Sequence, residues 1–225
     1  MTFLDYGLLA ALLVLVPAHA LWRSLAFRQV PAPSRLGRYG RTIGLVASLL
    51  ILLVADWIMT GRPPSALGLD FPLSLAGLAG CGVALVVIAF MAATIRKVPR
   101  QTGPAADEAA ALMPQSPEER RLFILFSLTV GIGWELLYRG FLLWVLIPPL
   151  GLIGAIPVAA LAYGLAHGYK SRRLFIDGMV SALLFVGAYV LTGSLWWLIL
   201  IHSALPLIGL LAPLQVTALP TVAKT

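Results

Sequence analysis

Long apolar runs, broken by short polar or proline-rich stretches, dominate the pattern along the 225-residue chain. A helix that spans a bilayer needs about 20 mostly apolar residues, and seven stretches reach or approach that length. These stretches are Phe3–Trp22, Ile43–Thr60, Leu73–Ile95, Leu122–Ile147, Leu152–Gly168, Leu174–Leu191 and Leu195–Leu211. The pattern predicts an all-α fold, a polytopic bundle of about seven transmembrane helices.

The composition excludes the other broad classes of protein. Sixty per cent of the residues are apolar, only 11% are charged, and the mean hydropathy is +0.95. A soluble globular domain carries about 25% charged residues, so neither a water-soluble domain nor a disordered chain fits. The single cysteine, Cys81, lies in an apolar run, so the chain has no internal disulfide.

The net charge of +7 is distributed unevenly along the chain. With the N-terminus outside and the C-terminus inside, three inner loops (residues 23–41, 96–121 and 170–173) and the inner tail hold 14 of the 16 basic residues. This asymmetry is typical of the positive-inside rule and predicts a multi-pass protein of the cell membrane, in bacteria the inner membrane. The charge therefore indicates contact with anionic lipid headgroups and not with nucleic acid.

The pattern divides the chain into three N-terminal spans in residues 1–95, a cytoplasmic linker in 96–121, a four-helix core in 117–213 and a tail in 214–225. The linker ends in a helix start, in which Ser116 caps, Pro117 takes the first helical position and Glu119 completes a capping box. Ala18-His19-Ala20 is similar to a signal-peptide cleavage site. Because the run before it carries Asp5 and no basic residue, we expect a retained first span.

Ionisable residues in a hydrocarbon core cost several kcal/mol unless they are paired or hydrated. Asp56 lies near the outer end of the second span, where its side chain can reach the interface. Asp177 follows Arg173 by four residues, which predicts an i,i+4 ion pair. Four further residues lie deeper and need partners inside the bundle: Glu135, Arg139, His167 and His202.

These four residues predict a polar chamber. Glu135 and Arg139 are four residues apart on one helix face and can neutralise each other. His167 comes late in the fifth span, with Tyr163 one turn before it, and His202 lies near the middle of the seventh. If they converge, they can hold a water molecule, or a divalent metal with His167 and His202 as ligands, although the sequence does not require a metal.

Three segments resemble the motifs of the CAAX-protease and bacteriocin-processing family, which is also called CPBP or Abi. Glu118-Glu119-Arg120-Arg121 leads to Gly133-Trp134-Glu135-Leu136-Leu137-Tyr138-Arg139-Gly140-Phe141, which is similar to the first motif, EExxxR followed by Gly. Tyr163-Gly164-Leu165-Ala166-His167 is similar to the second motif, FxxxH. Thr192-Gly193-Ser194-Leu195-Trp196 leads to His202 and resembles the approach to the third motif, HxxxN. Order and spacing agree across about Pro117–Leu211.

The resemblance implies a helical membrane endopeptidase whose polar chamber opens within the bilayer. In the family, the first glutamate and the histidine of the second motif activate the attacking water, while the second glutamate, the last histidine and the asparagine support the site and the oxyanion. By position, Glu135 matches the second glutamate, Arg139 the arginine, and His167 and His202 the two histidines. Tyr163 takes the place of the phenylalanine.

Two positions depart from the family pattern. Trp134 stands where the family has its first glutamate and cannot accept a proton, and Pro206 stands where it has the asparagine and offers no amide. Water activation would then fall to Glu135 with His167, although the charge of Arg139 weakens Glu135 as a base. Pro206 also lacks the N–H that would bond the His202 carbonyl, which leaves that carbonyl free as an acceptor.

Three classes of function follow from the sequence. The first is an intramembrane endopeptidase acting on a membrane-associated peptide or protein, including CAAX-like substrates, with Glu135, His167 and His202 as catalytic residues and Arg139 and Tyr163 as support. The second is an inactive relative that serves as an immunity, peptide-binding or scaffolding protein. The third is a transporter or channel that uses the buried charges as an ion path. Membrane lipid is a partner in all three.

Overall fold

A computed structural model describes residues 1–26, 34–97, 110–169 and 171–211. Within these ranges all regular secondary structure is helical, so the predicted all-α class is confirmed. The principal helices are α1 (Phe3–Ala26, π-helical over Ala11–Leu15), α2 (Arg35–Met59), α3 (Leu75–Thr94), α4 (Pro117–Trp134), a second π-helical segment (Glu135–Leu142), α5 (Leu143–Ala166), α6 (Arg172–Thr192) and α7 (Trp196–Ile208). Short 3₁₀ turns cover Pro64–Leu67 and Gly209–Leu211.

In the described part of the chain, five helices are long and apolar enough to cross a membrane. One of them, Pro117–Ala166, has 50 residues and contains two of the predicted spans. It is divided at Gly151, whose φ of 64° and ψ of 171° are not helical, directly after Pro148 and Pro149 and one leucine. Glycine adopts positive φ without steric cost, so the chain redirects there while the helices on both sides continue.

The last helix is shorter than a full crossing. The 13 residues of α7 extend over about 20 Å at 1.5 Å per residue, whereas the hydrocarbon core is about 30 Å thick. The sequence predicted a span over Leu195–Leu211; the α-helical part ends earlier, at Ile208, two residues after Pro206. His202 lies near the middle of this short helix, inside the bundle.

Serine residues begin four of the helices. Ser34, Ser74, Ser116 and Ser171 each accept a backbone N–H three residues ahead. The predicted start at Ser116 is confirmed, with a bond from the Glu119 N–H of 3.1 Å. The reciprocal bond differs from the prediction, because the Glu119 carboxylate accepts the N–H of Gln115 at 2.7 Å, one residue before the cap.

A buried ion cluster joins the N-terminus of α1 to the end of α2. Arg62 lies 2.7 Å from an Asp5 oxygen and 3.0 Å from an Asp56 oxygen, and both carboxylates are buried. The hydrogen bond to Asp5 raises the pKa of Arg62, so the cluster keeps its positive centre. Asp56, expected to reach the interface at the end of its span, is thus buried and paired there, because the loop after α2 folds Arg62 back over it. Asp177 does pair with Arg173, at 3.8 Å, and both side chains are exposed.

The arginines of residues 35–41 lie at the end of the bundle opposite the Arg62 cluster. There the Tyr39 hydroxyl donates to the Leu112 carbonyl, and Arg96 donates to the Leu211 carbonyl at 3.4 Å. The direction of the chain across the membrane remains a prediction. Arg28, Arg100, Lys170, Lys224, most of the linker and the whole tail lie outside the described residues.

Helix α4 lies at the centre of the bundle. It packs against α2 on one side and α7 on another, while α3 packs on α7, α5 on α6, and α1 on α5. Large apolar side chains such as Ile51, Val86 and Leu184 are exposed on the outer faces. This arrangement is typical of a bundle in lipid, where the outward faces stay apolar and polar side chains turn inward.

Candidate active site

The segment Glu135–Leu142 is π-helical and carries the central charges of the bundle. A π-helix makes i→i+5 hydrogen bonds, is rare, and frequently marks a functional site. With slightly more than four residues per turn, it places Glu135 and Arg139 almost directly above one another. Seven of its eight residues are buried, including both charged ones.

Glu135 and Arg139 form the ion pair that the sequence predicts. The Arg139 Nη1 donates to Glu135 Oε1 at 3.0 Å, and neither side chain is more than 1% exposed. Taking two charges out of water costs several kcal/mol per ion, which a single contact only partly offsets. Further polar groups beside the pair are therefore expected.

His202 is the third member of this group. Its Nδ1 lies 2.5 Å from the same Glu135 Oε1, although the angle at that contact is not that of a hydrogen bond. The contact places a carboxylate beside the ring without a hydrogen bond, and His202 Nδ1 is itself buried without a hydrogen-bond partner among the described residues. Glu135 Oε2 and the Arg139 Nε and Nη2 atoms are buried without a hydrogen-bond partner among the described residues.

Tyr163 connects Arg139 to the second histidine. The Arg139 guanidinium carbon lies 3.8 Å from the centre of the Tyr163 ring, a cation–π distance. The Tyr163 ring in turn meets the His167 ring edge to face, with centroids 4.5 Å apart. His167 Nδ1 lies 2.9 Å from the Tyr163 carbonyl oxygen, which can only accept, so Nδ1 carries the proton and Nε2 is the basic nitrogen.

Both histidines line one cavity of about 290 Å³ between α5, α6 and α7. Its other walls are Tyr163, Gly164, Gly168 and a face of α6 made of Leu174, Phe175, Gly178, Ser181, Ala182 and Phe185. Because Nδ1 of His167 is hydrogen-bonded to the Tyr163 carbonyl, its Nε2 atom is the nitrogen left for the cavity. The cavity wall thus presents two imidazole rings and a largely apolar surface.

The other predicted site residues lie outside this wall. Glu135 is not among the cavity residues and sits behind His202, where it contacts the ring nitrogen away from the cavity. Trp134 is half-buried against the Tyr138 ring, at 5.5 Å between centroids, and does not line the cavity either. Pro206 lies inside α7, one turn after His202. The structure thus brings Glu135, Arg139, Tyr163 and the two histidines together in one connected cluster.

The side chains around the cavity provide too few ligands for a metal site. Among the described residues, no group of three or more His, Cys, Asp or Glu side chains could hold a metal ion. Catalytic zinc takes three protein ligands and keeps one position for water. With only His167 and His202 on the wall, the cavity is better suited to acid–base chemistry on a water molecule.

Sequence reasoning missed the wall that α6 contributes. Gly178, Ser181, Ala182 and Phe185 recur at helical spacing and face His202, whose ring lies 4.9 Å from that of Phe185. The sequence signal that could have revealed this wall is a helix face of small residues followed by an aromatic residue. It carried no ionisable group, so a search for buried charges passed over it.

A glycine lets α4 approach α7 closely enough for Glu135 to reach His202. A Cβ on Gly131 would stand 2.6 Å from the Ser203 backbone nitrogen, closer than side chains approach. We predict that Gly131→Ala lowers the free energy of unfolding by about 1–3 kcal/mol, because α7 must shift. Reversible unfolding in detergent micelles measures this change.

Gly82→Ala is the matched control, since nothing lies within 4 Å of a Cβ there. It should leave stability unchanged or raise it by up to about 1 kcal/mol, the helix propensity gained. Equal stability of the two variants would contradict the close contact of α4 with α7.

Comparison with known proteins supports the family assignment. Residues 117–208 match the family model described as type II CAAX prenyl endopeptidase Rce1-like. The resemblance deduced from the motifs is thereby confirmed for this segment, which contains every residue of the cluster around the cavity. No match was found among curated proteins or among solved structures. The chain has the helices of a multi-pass membrane protein, and its residues 117–208 are similar to a family of CAAX-type proteases.

Proposed function

We propose that this chain, whose residues 117–208 are of the Rce1-like family, is an intramembrane endopeptidase that hydrolyses a membrane-associated peptide or protein in the cavity between α5, α6 and α7. The observation that carries the proposal is the contact of Glu135 with the Nδ1 of His202, on the side of the ring opposite the basic nitrogen. A carboxylate behind a histidine holds the ring in the basic tautomer and stabilises the imidazolium that forms.

In this arrangement His202 is the general base. Its Nε2 takes a proton from water as the oxygen adds to the scissile carbonyl carbon. When the tetrahedral intermediate collapses, the C–N bond breaks and the imidazolium returns the proton to the leaving amine. This assignment differs from the one drawn from the sequence, where Glu135 and His167 activate water, because Glu135 does not reach the cavity wall.

The surrounding residues position this base. Arg139 donates to Glu135 and is itself held over the Tyr163 ring, so the carboxylate is fixed in place beside His202. His167 presents a second basic nitrogen to the same cavity, where it orients the water or the substrate amide. The largely apolar wall of α6 places apolar side chains beside these groups, which strengthens their electrostatic contacts.

A second candidate is an inactive member of the family that binds peptides without cleaving them. The observation that favours it is the absence of any carboxylate among the residues that line the cavity, with Trp134 at the position of the family's first glutamate. In that case the cavity is a peptide-binding site in an immunity or scaffolding protein. The localisation proposed for both candidates is the bacterial inner membrane.

The test is cleavage of a fluorogenic peptide ending in a farnesylated CAAX sequence by the purified protein in liposomes. We expect wild type to cleave it and Glu135→Gln to lower kcat by at least about 10²-fold, because the same carboxylate-to-amide change behind the histidine of a serine-protease triad costs about 10⁴-fold. The amide keeps an acceptor for Arg139 but leaves the buried guanidinium charge uncompensated, so circular dichroism must show a folded variant before the rates are compared. Asp177→Asn, the same change at an exposed carboxylate, is the control and should leave kcat unchanged.

Two results would separate the candidates. Binding of the peptide by wild type without cleavage supports the inactive one, and turnover gained by Trp134→Glu would then identify the missing carboxylate as the cause. Cleavage by wild type that is undiminished in Glu135→Gln would remove Glu135 from the mechanism.

A further inference from the structure

The two histidines of the cavity can accept protons, but hydrolysis also needs a hydrogen-bond donor in the cavity. Hydrolysis of an amide passes through an oxyanion, and a preorganised hydrogen-bond donor at that oxygen is usually a large part of catalysis. The Nε2 atom of His167 is an acceptor in the tautomer described above, and His202 accepts a proton in its proposed role as the base. Pro206 has neither a polar side chain nor an N–H group.

Among the residues that line the cavity, two have hydroxyl groups, Tyr163 and Ser181. The Tyr163 ring is enclosed on several sides, by the Arg139 guanidinium on one face and by the rings of Tyr138 and His167. Ser181 is exposed to the cavity instead. Its hydroxyl is thus the freer of the two to meet a substrate.

The Ser181 hydroxyl is not used by its own helix. Serines in apolar helices often donate to the carbonyl four residues before them. Ser48 and Ser127 do so here, to Gly44 and Phe123 at 2.8 Å each. Within the described residues Ser181 makes no such bond.

Ser181 also lies at the right level of the cavity. It precedes Phe185 by one turn, about 6 Å along α6, and the Phe185 ring packs against His202. In the other direction along α6, the wall continues through Gly178 to Phe175, near the end of α5 that carries His167. Ser181 is therefore placed between the levels of the two histidines.

We propose that Ser181 donates a hydrogen bond to the carbonyl oxygen of the scissile bond and stabilises the oxyanion, in the place of the side-chain donor that Pro206 lacks. The inference rests on the proposed hydrolytic function and adds a catalytic residue to it. Ser181 forms no covalent bond in this role; water remains the nucleophile and His202 the base.

The experiment measures kcat and KM for the farnesylated CAAX peptide in liposomes. Ser181→Ala is expected to lower kcat by about 10²-fold, the cost of removing one oxyanion donor, with KM almost unchanged. Ser181→Thr, which keeps the hydroxyl, should restore most of the rate. The pH dependence of kcat should keep the same shape in Ser181→Ala, because the titrating base is untouched.

Ser48→Ala is the matched control, since it removes an exposed hydroxyl from a spanning helix away from the cavity. If wild type cleaves the peptide and Ser181→Ala cleaves it at the same rate, this inference is overturned, whereas the proposed function is not affected. Labelling of Ser181 by a fluorophosphonate probe would show a nucleophile and also overturn the donor role. Wild type that cleaves nothing overturns the proposed function and this inference with it.

Discussion

His202→Gln should lower kcat for cleavage of the farnesylated peptide by about 10⁴-fold, the upper part of the range that a positioned general base contributes. Glutamine fills similar space but cannot take a proton from water at neutral pH. Because His202 is about one fifth exposed and faces the cavity, the change should leave the fold intact. Circular dichroism and thermal unfolding confirm that point before the rates are compared.

The chain contains its own control for this substitution. His19 is exposed on α1, lies beside Trp22 and is not among the residues that line the cavity. His19→Gln makes the same chemical change and should retain the wild-type rate. A rate that falls equally in both variants would point to a general effect on the protein, and a His202→Gln rate near wild type would exclude His202 as the base.

Arg139→Gln should have the largest effect on stability. It leaves Glu135 as a buried charge with only His202 beside it, and breaking a buried pair from one side costs about 3–5 kcal/mol. It also removes the cation that packs on the Tyr163 ring. Chemical unfolding in mixed micelles measures the loss.

Arg173→Gln is the matched control for Arg139→Gln. Arg173 pairs with Asp177 at the same i,i+4 spacing, but both side chains are exposed, and such pairs contribute about 0–1 kcal/mol. The double variant Glu135→Gln/Arg139→Gln should recover much of the loss, because two neutral amides replace an unpaired charge. A loss below about 1 kcal/mol for Arg139→Gln would contradict the buried pair.

Local sequence rules predicted much of this structure. Apolar runs gave the helices, Ser116 and Pro117 gave the start of α4, and the spacing of Glu135 and Arg139 gave their ion pair. Each of these features depends on residues within one or two turns of each other. The motifs also identified the family over the segment that the family model matches.

Features that depend on how helices cross could not be predicted in this way. The contact between Glu135 and His202 joins residues 67 positions apart and requires the close approach of α4 and α7 at Gly131. The burial of Asp56 depends on Arg62 folding back from the outer loop. The role of α6 as a cavity wall depends on packing against α5, which no local pattern specifies.

The proposed hydrolysis requires that water attack a peptide bond in the cavity between α5, α6 and α7. Mass spectrometry of the products tests this step after wild type, reconstituted in liposomes, acts on the farnesylated CAAX peptide in ¹⁸O-labelled water. We expect release of the C-terminal tripeptide and one ¹⁸O atom in the new carboxylate of the farnesylated cysteine, both lost in His202→Gln. Wild type that binds the peptide and releases no tripeptide would contradict it.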